Sequence, residues 1–147
     1  MSLWLPDEEA TRRLGEELAV RLRPGDAVCL SGGLGAGKST LARAVIRALT
    51  SPGEDVPSPT FTLVQAYDGQ AFPIAHFDLY RLEAAAEAAE LGLDDALDVG
   101  AALIEWPERL GNALPRDRLD IMLGIRDRGR EASLTAHGSW IGREVEH

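Results

Sequence analysis

The residues Gly32-Gly33-Leu34-Gly35-Ala36-Gly37-Lys38-Ser39 carry the strongest chemical signal in the chain. They fit G-x-x-x-x-G-K-[ST], a loop whose backbone N–H groups converge on one anion. Glycine supplies the φ angles such a loop needs and lets the backbone approach a phosphate closely. A helix that starts at the loop adds partial positive charge. In this arrangement Lys38 reaches the β- and γ-phosphates, the Ser39 hydroxyl ligates Mg²⁺, and residues from Gly33 through Thr40 cradle the phosphate chain. The chemistry implied is binding of a nucleoside triphosphate.

Hydrolysis of that triphosphate needs a further carboxylate near the metal and a group that orients water. Two acids close apolar runs. Glu105 follows Ala101-Ala102-Leu103-Ile104, the Walker B pattern, and Asp78 follows Ile74-Ala75-His76-Phe77. His76, two residues before Asp78, would share its strand face. It reads as a satisfied structural histidine, because further ligands at zinc spacing are missing. Thr60 and Thr62 lie in a proline-rich stretch after the loop's helix. A γ-phosphate-sensing switch would occupy that position, and so would a plain turn with a capping hydroxyl. Trp106 either stacks on a base or partner or packs in the core. The chain has no N-K-x-D motif, which weighs against guanine specificity.

These residues need a strand before the loop and a helix after it. Ala27-Val28-Cys29-Leu30-Ser31 is an apolar run fit for a buried strand. The stretch 40–49 places Leu41, Val45, Ile46 and Leu49 on one helical face. Upstream, Asp7 is a plausible N-cap of a helix with Leu14, Leu18, Ala19 and Leu22 on its apolar face, stopped by Pro24-Gly25. Downstream, 61–67 and 71–78 read as a hairpin across Asp68-Gly69, with Pro73 marking an edge or a bulge. A helix over 83–91 closes at Gly92, and 93–97 is a short helix or turn. A buried strand spans 99–106, and 110–115 is a loop. The stretches 118–125 and 131–136 pair across Asp127-Arg128-Gly129. The tail from Ser139 reads as a frayed helix. Two hairpins on such a core predict an α/β, P-loop NTPase-like three-layer sandwich with a mixed parallel and antiparallel central sheet.

The chain of 147 residues, with 45% hydrophobic and 27% charged content, is the size and composition of a single soluble domain, 1–147. A net charge of −9 argues against unaided binding of nucleic acid, although Arg126, Arg128 and Arg130 cluster near the end. A lone cysteine, Cys29, excludes an intramolecular disulfide framework and suits a reducing cytosol. Neither a signal peptide nor a run of membrane-spanning length is evident, so a cytoplasmic protein with no membrane partner is expected.

Four motifs in order resemble the TsaE family, the small ATPases of bacterial tRNA threonylcarbamoyladenosine biosynthesis. They are Gly33 to Ser39, Ser58-Pro59-Thr60-Phe61-Thr62-Leu63-Val64, His76-Phe77-Asp78-Leu79-Tyr80-Arg81 and Glu105-Trp106-Pro107. The resemblance runs from about Leu5 to Ala136. It departs at Ser39, where many members carry threonine, and at Gly33, where an acid is frequent. It implies a Mg²⁺-dependent ATPase, with ATP and ADP as ligands, that binds a threonylcarbamoyl transferase and its paralogue and meets tRNA only through them. It further implies Ser39 and Glu105 as Mg²⁺ ligands, Asp78 as a catalytic or water-positioning acid beside Lys38, and Thr60 as a switch residue. Arg130 would reach the nucleotide, and the segment around Thr11 would lie near the base. Two other readings of the loop are a small-molecule kinase of the P-loop class and a nucleotide-dependent binding switch.

Overall fold

The computed structural model describes residues 1–33, 35–59 and 62–145. Among the described residues seven strands form one sheet: β1 (Ser2–Leu5), β2 (Ala27–Ser31), β3 (Val64–Asp68), β4 (Pro73–Asp78), β5 (Ala101–Glu105), β6 (Arg118–Arg126) and β7 (Gly129–His137). Their order is β1-β7-β6-β2-β5-β4-β3. The four central strands β6, β2, β5 and β4 run parallel, and the margins are antiparallel. The mixed sheet expected from two hairpins is therefore present.

Alternation along the strands divides the interior between two faces. Val28, Leu30, Leu103 and Ile74 join Leu14, Leu18, Leu41, Val45 and Ile46 in one core, covered by α1 (Glu8–Arg21) and α2 (Lys38–Leu49). Ala27, Cys29, Phe77, Ala102 and Ile104 join Leu93 and Leu110 in the other. That second face is covered by α3 (Ala86–Glu90), α4 (Leu93–Val99) and a 3₁₀ segment, Pro107–Ala113. Three layers result, as expected. Asp7 caps α1, accepting from the Ala10 N–H at 2.9 Å, with Glu8 and Glu9 in the first turn beside the positive end of the helix dipole.

Several local expectations change. β1 was not foreseen: it is a four-residue edge strand that buries Leu5 and pairs with β7 far along the chain. Pro73 opens β4, an interior strand, and its missing donor is tolerated because it is the first residue. Asp68 pairs with Pro73, so the hairpin connection is 69–72 rather than a tight two-residue turn. The helix over 83–91 shrinks to α3, which buries only Ala88 and lacks a side-chain cap. Val99 belongs to α4, not to the strand. The region 110–115 is largely 3₁₀. The tail is no helix beyond a 3₁₀ turn, Gly138–Trp140, because Gly138 and Gly142 take φ of 61° and 91°. Trp140 and Val145 instead enter the first core.

Candidate nucleotide-binding site

A cleft of about 580 Å³ opens at the C-terminal ends of the parallel strands, where open α/β sheets hold ligands. The loop between β2 and α2 forms its floor. Gly32 sits at φ 140°, and a Cβ there would lie 2.4 Å from the Leu123 carbonyl oxygen. Gly37, at φ 102°, precedes α2. A side chain at either position would push the loop out of shape, so the glycine spacing read from the sequence has a steric cause here. Leu34 lies outside the described residues, as does Thr60 of the expected switch.

Lys38 opens α2 and is buried. Its Nζ donates to the Gly32 carbonyl and, at 3.4 Å, to that of Gly33. The same ammonium stands 4.1 Å from the centroid of the Trp106 ring, a cation–π contact. Trp106 adopts φ 60°, ψ 51°, which is uncommon for a bulky residue, and its ring lies 4.8 Å from that of Tyr80. Trp106 is thus partly buried, packing against the second core while it walls the cleft.

The two acids meet. β4 and β5 are parallel in a register that sets Asp78 beside Glu105 at the two strand ends. Both are buried and both line the cleft. Glu105 Oε1 accepts from the Ser39 hydroxyl at 3.3 Å. Glu105 Oε2 contacts His76 Nε2 at 2.6 Å. Asp78 Oδ1 accepts the Tyr80 N–H at 3.1 Å, which turns the chain sharply after β4. Gly33, Gly35, Ala36, Gly37, Lys38, Ser39 and Thr40 line the same space. Arg130, on β7, reaches across to donate to the Gly35 carbonyl at 3.0 Å. Thr11 lines the cleft with Leu5, Pro6, Asp7 and Glu8, on the side where Leu5 of β1 pairs with Arg130. Lys38, Ser39, Asp78, Glu105, Arg130, Thr11 and the described loop residues therefore line one cleft, whereas Thr62 does not and instead accepts from the Gln65 amide at 3.1 Å.

Sequence reasoning missed several contributors, Ser58 and Gly129 of the cleft lining among them. Tyr80 was quoted only within a motif, Arg128 only as part of a basic cluster, and the Leu5 to Glu8 wall depends on the unforeseen β1. Among the described residues there is no group of three or more His, Cys, Asp and Glu side chains that could hold a metal ion.

A family model described as "Threonylcarbamoyl adenosine biosynthesis protein TsaE" matches residues 5–132. The chain belongs to the TsaE family. Among its relatives, the tRNA threonylcarbamoyladenosine biosynthesis protein TsaE of Rickettsia felis is 39% identical over 128 residues, covering 87% of this chain and 75% of that protein. The protein of the same name from Bacillus subtilis is 36% identical over 133 residues, covering 89% and 82%. The crystal structure of YdiB from Bacillus subtilis superimposes with a TM-score of 0.77 at 31% identity, covering 94% of this chain and 86% of that one.

The TsaE family implies a nucleotide, and the residues present fit a magnesium triphosphate. One hydroxyl and one carboxylate, Ser39 and Glu105, make an open donor set. That suits a Mg²⁺ that takes its other ligands from phosphate and water rather than from a closed protein cage. Lys38 meanwhile spends its donors on carbonyls of its own loop, contacts that a phosphate can replace.

Proposed function

We propose that the chain is a Mg²⁺-dependent ATPase that supports threonylcarbamoyladenosine modification of tRNA. One observation carries this reading: Lys38, Ser39, Glu105 and Asp78 face one cleft with the loop backbone. Gly33 to Thr40 would wrap the phosphates, with Lys38 on the β- and γ-phosphates. Ser39 and Glu105 would hold Mg²⁺. Asp78, at the neighbouring strand end, would orient the attacking water. Arg130 would follow the phosphates from β7, and Thr11 would flank the base. Thr60 would sense the γ-phosphate.

The relatives' names supply the pathway. Within it the chain would act as a single domain, 1–147, in the cytoplasm, bound to a threonylcarbamoyl transferase and that enzyme's paralogue. Those partners would hold the tRNA, which agrees with a net charge of −9 on this chain. Among the described residues no helix is long and apolar enough to cross a membrane.

Phosphate release from ATP, measured with and without the two partner proteins, tests the proposal. Turnover should require Mg²⁺, rise with the partners and vanish in Lys38→Ala. Turnover that is equal in Lys38→Ala and in the unaltered protein would sink it.

A further inference from the structure

Glu105 touches two side chains from opposite sides. Ser39, from the cleft, meets Oε1 at 3.3 Å, and His76 meets Oε2 at 2.6 Å. His76 itself does not line the cleft. Its Cα pairs with that of Leu103, two residues short of the strand end, so its imidazole approaches the carboxylate from behind. The two side chains are 2% and 3% exposed. A carboxylate only accepts, so the contact puts the hydrogen on Nε2. The other ring nitrogen, Nδ1, is buried and has no hydrogen-bond partner among the described residues. Among the described residues the hydrogen bond to Glu105 is the one that orients this ring.

We infer that His76 is a positioning residue for the metal-ligating carboxylate, an inference that rests on the magnesium–ATP reading. Its Nε2–H occupies Oε2 and thereby turns Oε1 toward Ser39 Oγ and the phosphate end of the cleft. His76 touches neither nucleotide nor metal. A metal ligand whose second atom is anchored in this way loses less freedom when the ion arrives. Without the donor, Oε2 is a buried acceptor with no partner, and the carboxylate rotates to find one. The phosphate contacts of the loop and of Lys38 do not depend on that anchor. The role therefore predicts loss of the metal-dependent part of nucleotide affinity alone, where a merely structural histidine would affect stability or both affinities together.

The test is calorimetric titration of a non-hydrolysable ATP analogue into the full chain, in Mg²⁺ and again in EDTA, with thermal melts alongside. The variants are His76→Gln, His76→Asn and His76→Phe. The amide nitrogen of glutamine reaches the position of Nε2, whereas that of asparagine stops at the position of Nδ1. The affinity gained from Mg²⁺ should fall about tenfold in His76→Asn and His76→Phe and stay within about twofold in His76→Gln. Affinity in EDTA should be the same in all four proteins. If the phenylalanine variant does not fold, the Gln and Asn pair decides. An unaltered Mg²⁺ gain in His76→Asn, or an equal loss in His76→Gln, overturns the role of His76 and leaves the ATPase reading standing. A wild-type chain that gains nothing from Mg²⁺ overturns that reading and this role together.

Discussion

Two buried carboxylates stand at opposite ends of the central strands and are treated differently. Asp26, just before β2, is surrounded by donors: Arg143 at 2.6 and 3.3 Å, the Ser139 hydroxyl at 2.9 Å and the Arg23 N–H at 2.8 Å. Arg143 also stacks on Trp140, its guanidinium 4.6 Å from the ring centroid. Glu105, at the end of β5, has a histidine and a hydroxyl. Among the described residues it has no lysine or arginine ion-pair partner. A buried charge with a full set of partners clasps structure in place, here the tail against α1 and β2. A buried acid held only by a histidine and a hydroxyl keeps a desolvation cost that an incoming ion relieves. The contrast separates a structural end of the sheet from a chemical one, and it can be broken experimentally.

The largest effect should come from Arg143→Ala, which leaves Asp26 buried without its counter-charge. A loss of about 3 kcal/mol is expected, seen as a melting temperature lower by roughly 10 °C. Nucleotide affinity should hold. If calorimetry shows affinity falling in step with stability, the two ends are not independent.

Lys38→Ala should do the reverse. The loop loses its charged phosphate contact, and triphosphate affinity should drop roughly 100-fold. The melting temperature should stay near that of the unaltered protein, since among the described residues the ammonium bonds to carbonyls of its own loop and otherwise meets the Trp106 ring at the cleft wall. A large thermal shift would show that Lys38 is part of the scaffold.

Glu105→Gln sharpens the comparison further. Mg²⁺-dependent affinity should weaken about tenfold, while stability stays level or rises because a buried carboxylate with no lysine or arginine beside it has been replaced by a neutral amide. Asp78→Asn should instead lower hydrolysis more than binding. Reversed profiles would exchange the roles of the two acids, which are neighbours in the sheet.

Cys29 offers the smallest and most local readout. It is fully buried between the two ends, and burial pushes its thiol up from 9.0 to about 12. The unfolded chain gives up that proton first. The stability tied to the protonated thiol is thus intact below pH 9 and is lost as pH rises toward 12. At neutral pH a thiol reagent should label Cys29 only through opening of the sheet. Labelling should quicken in Arg143→Ala and not in Lys38→Ala. Equal rates in both variants would mean that the tail clasp does not restrain β2.

Much of this site was legible because its main part is contiguous in the chain. Gly32 to Ser39 encode their own loop through local φ requirements and the start of α2. The buried strand before it and the apolar faces of α1 and α2 follow from periodicity, a local property. Even the two acids were visible, as charges that terminate apolar runs. Less legible were segments whose conformation depends on distant partners. The tail around Trp140 has helical composition in part, yet two glycines and burial against the core redirect it. The stretch 83–91 has strong helix formers, but with a single buried residue it gains little packing, and only α3 forms.

The sequence by itself thus determined the phosphate loop, the helices on either side of it and the alternating strands of the core, because each rests on neighbours within a few residues. Tertiary structure alone decided the strand order, the addition of β1 to β7, and the register that sets Asp78 next to Glu105. It also decided which oxygen of Glu105 meets His76 and which meets Ser39, and it joined Arg143 to Asp26 across 117 positions. The reason is physical. Periodicity states which face of an element is buried, but a hydrogen bond needs two atoms within about 3 Å. That distance is set only once strands have chosen their neighbours and their register.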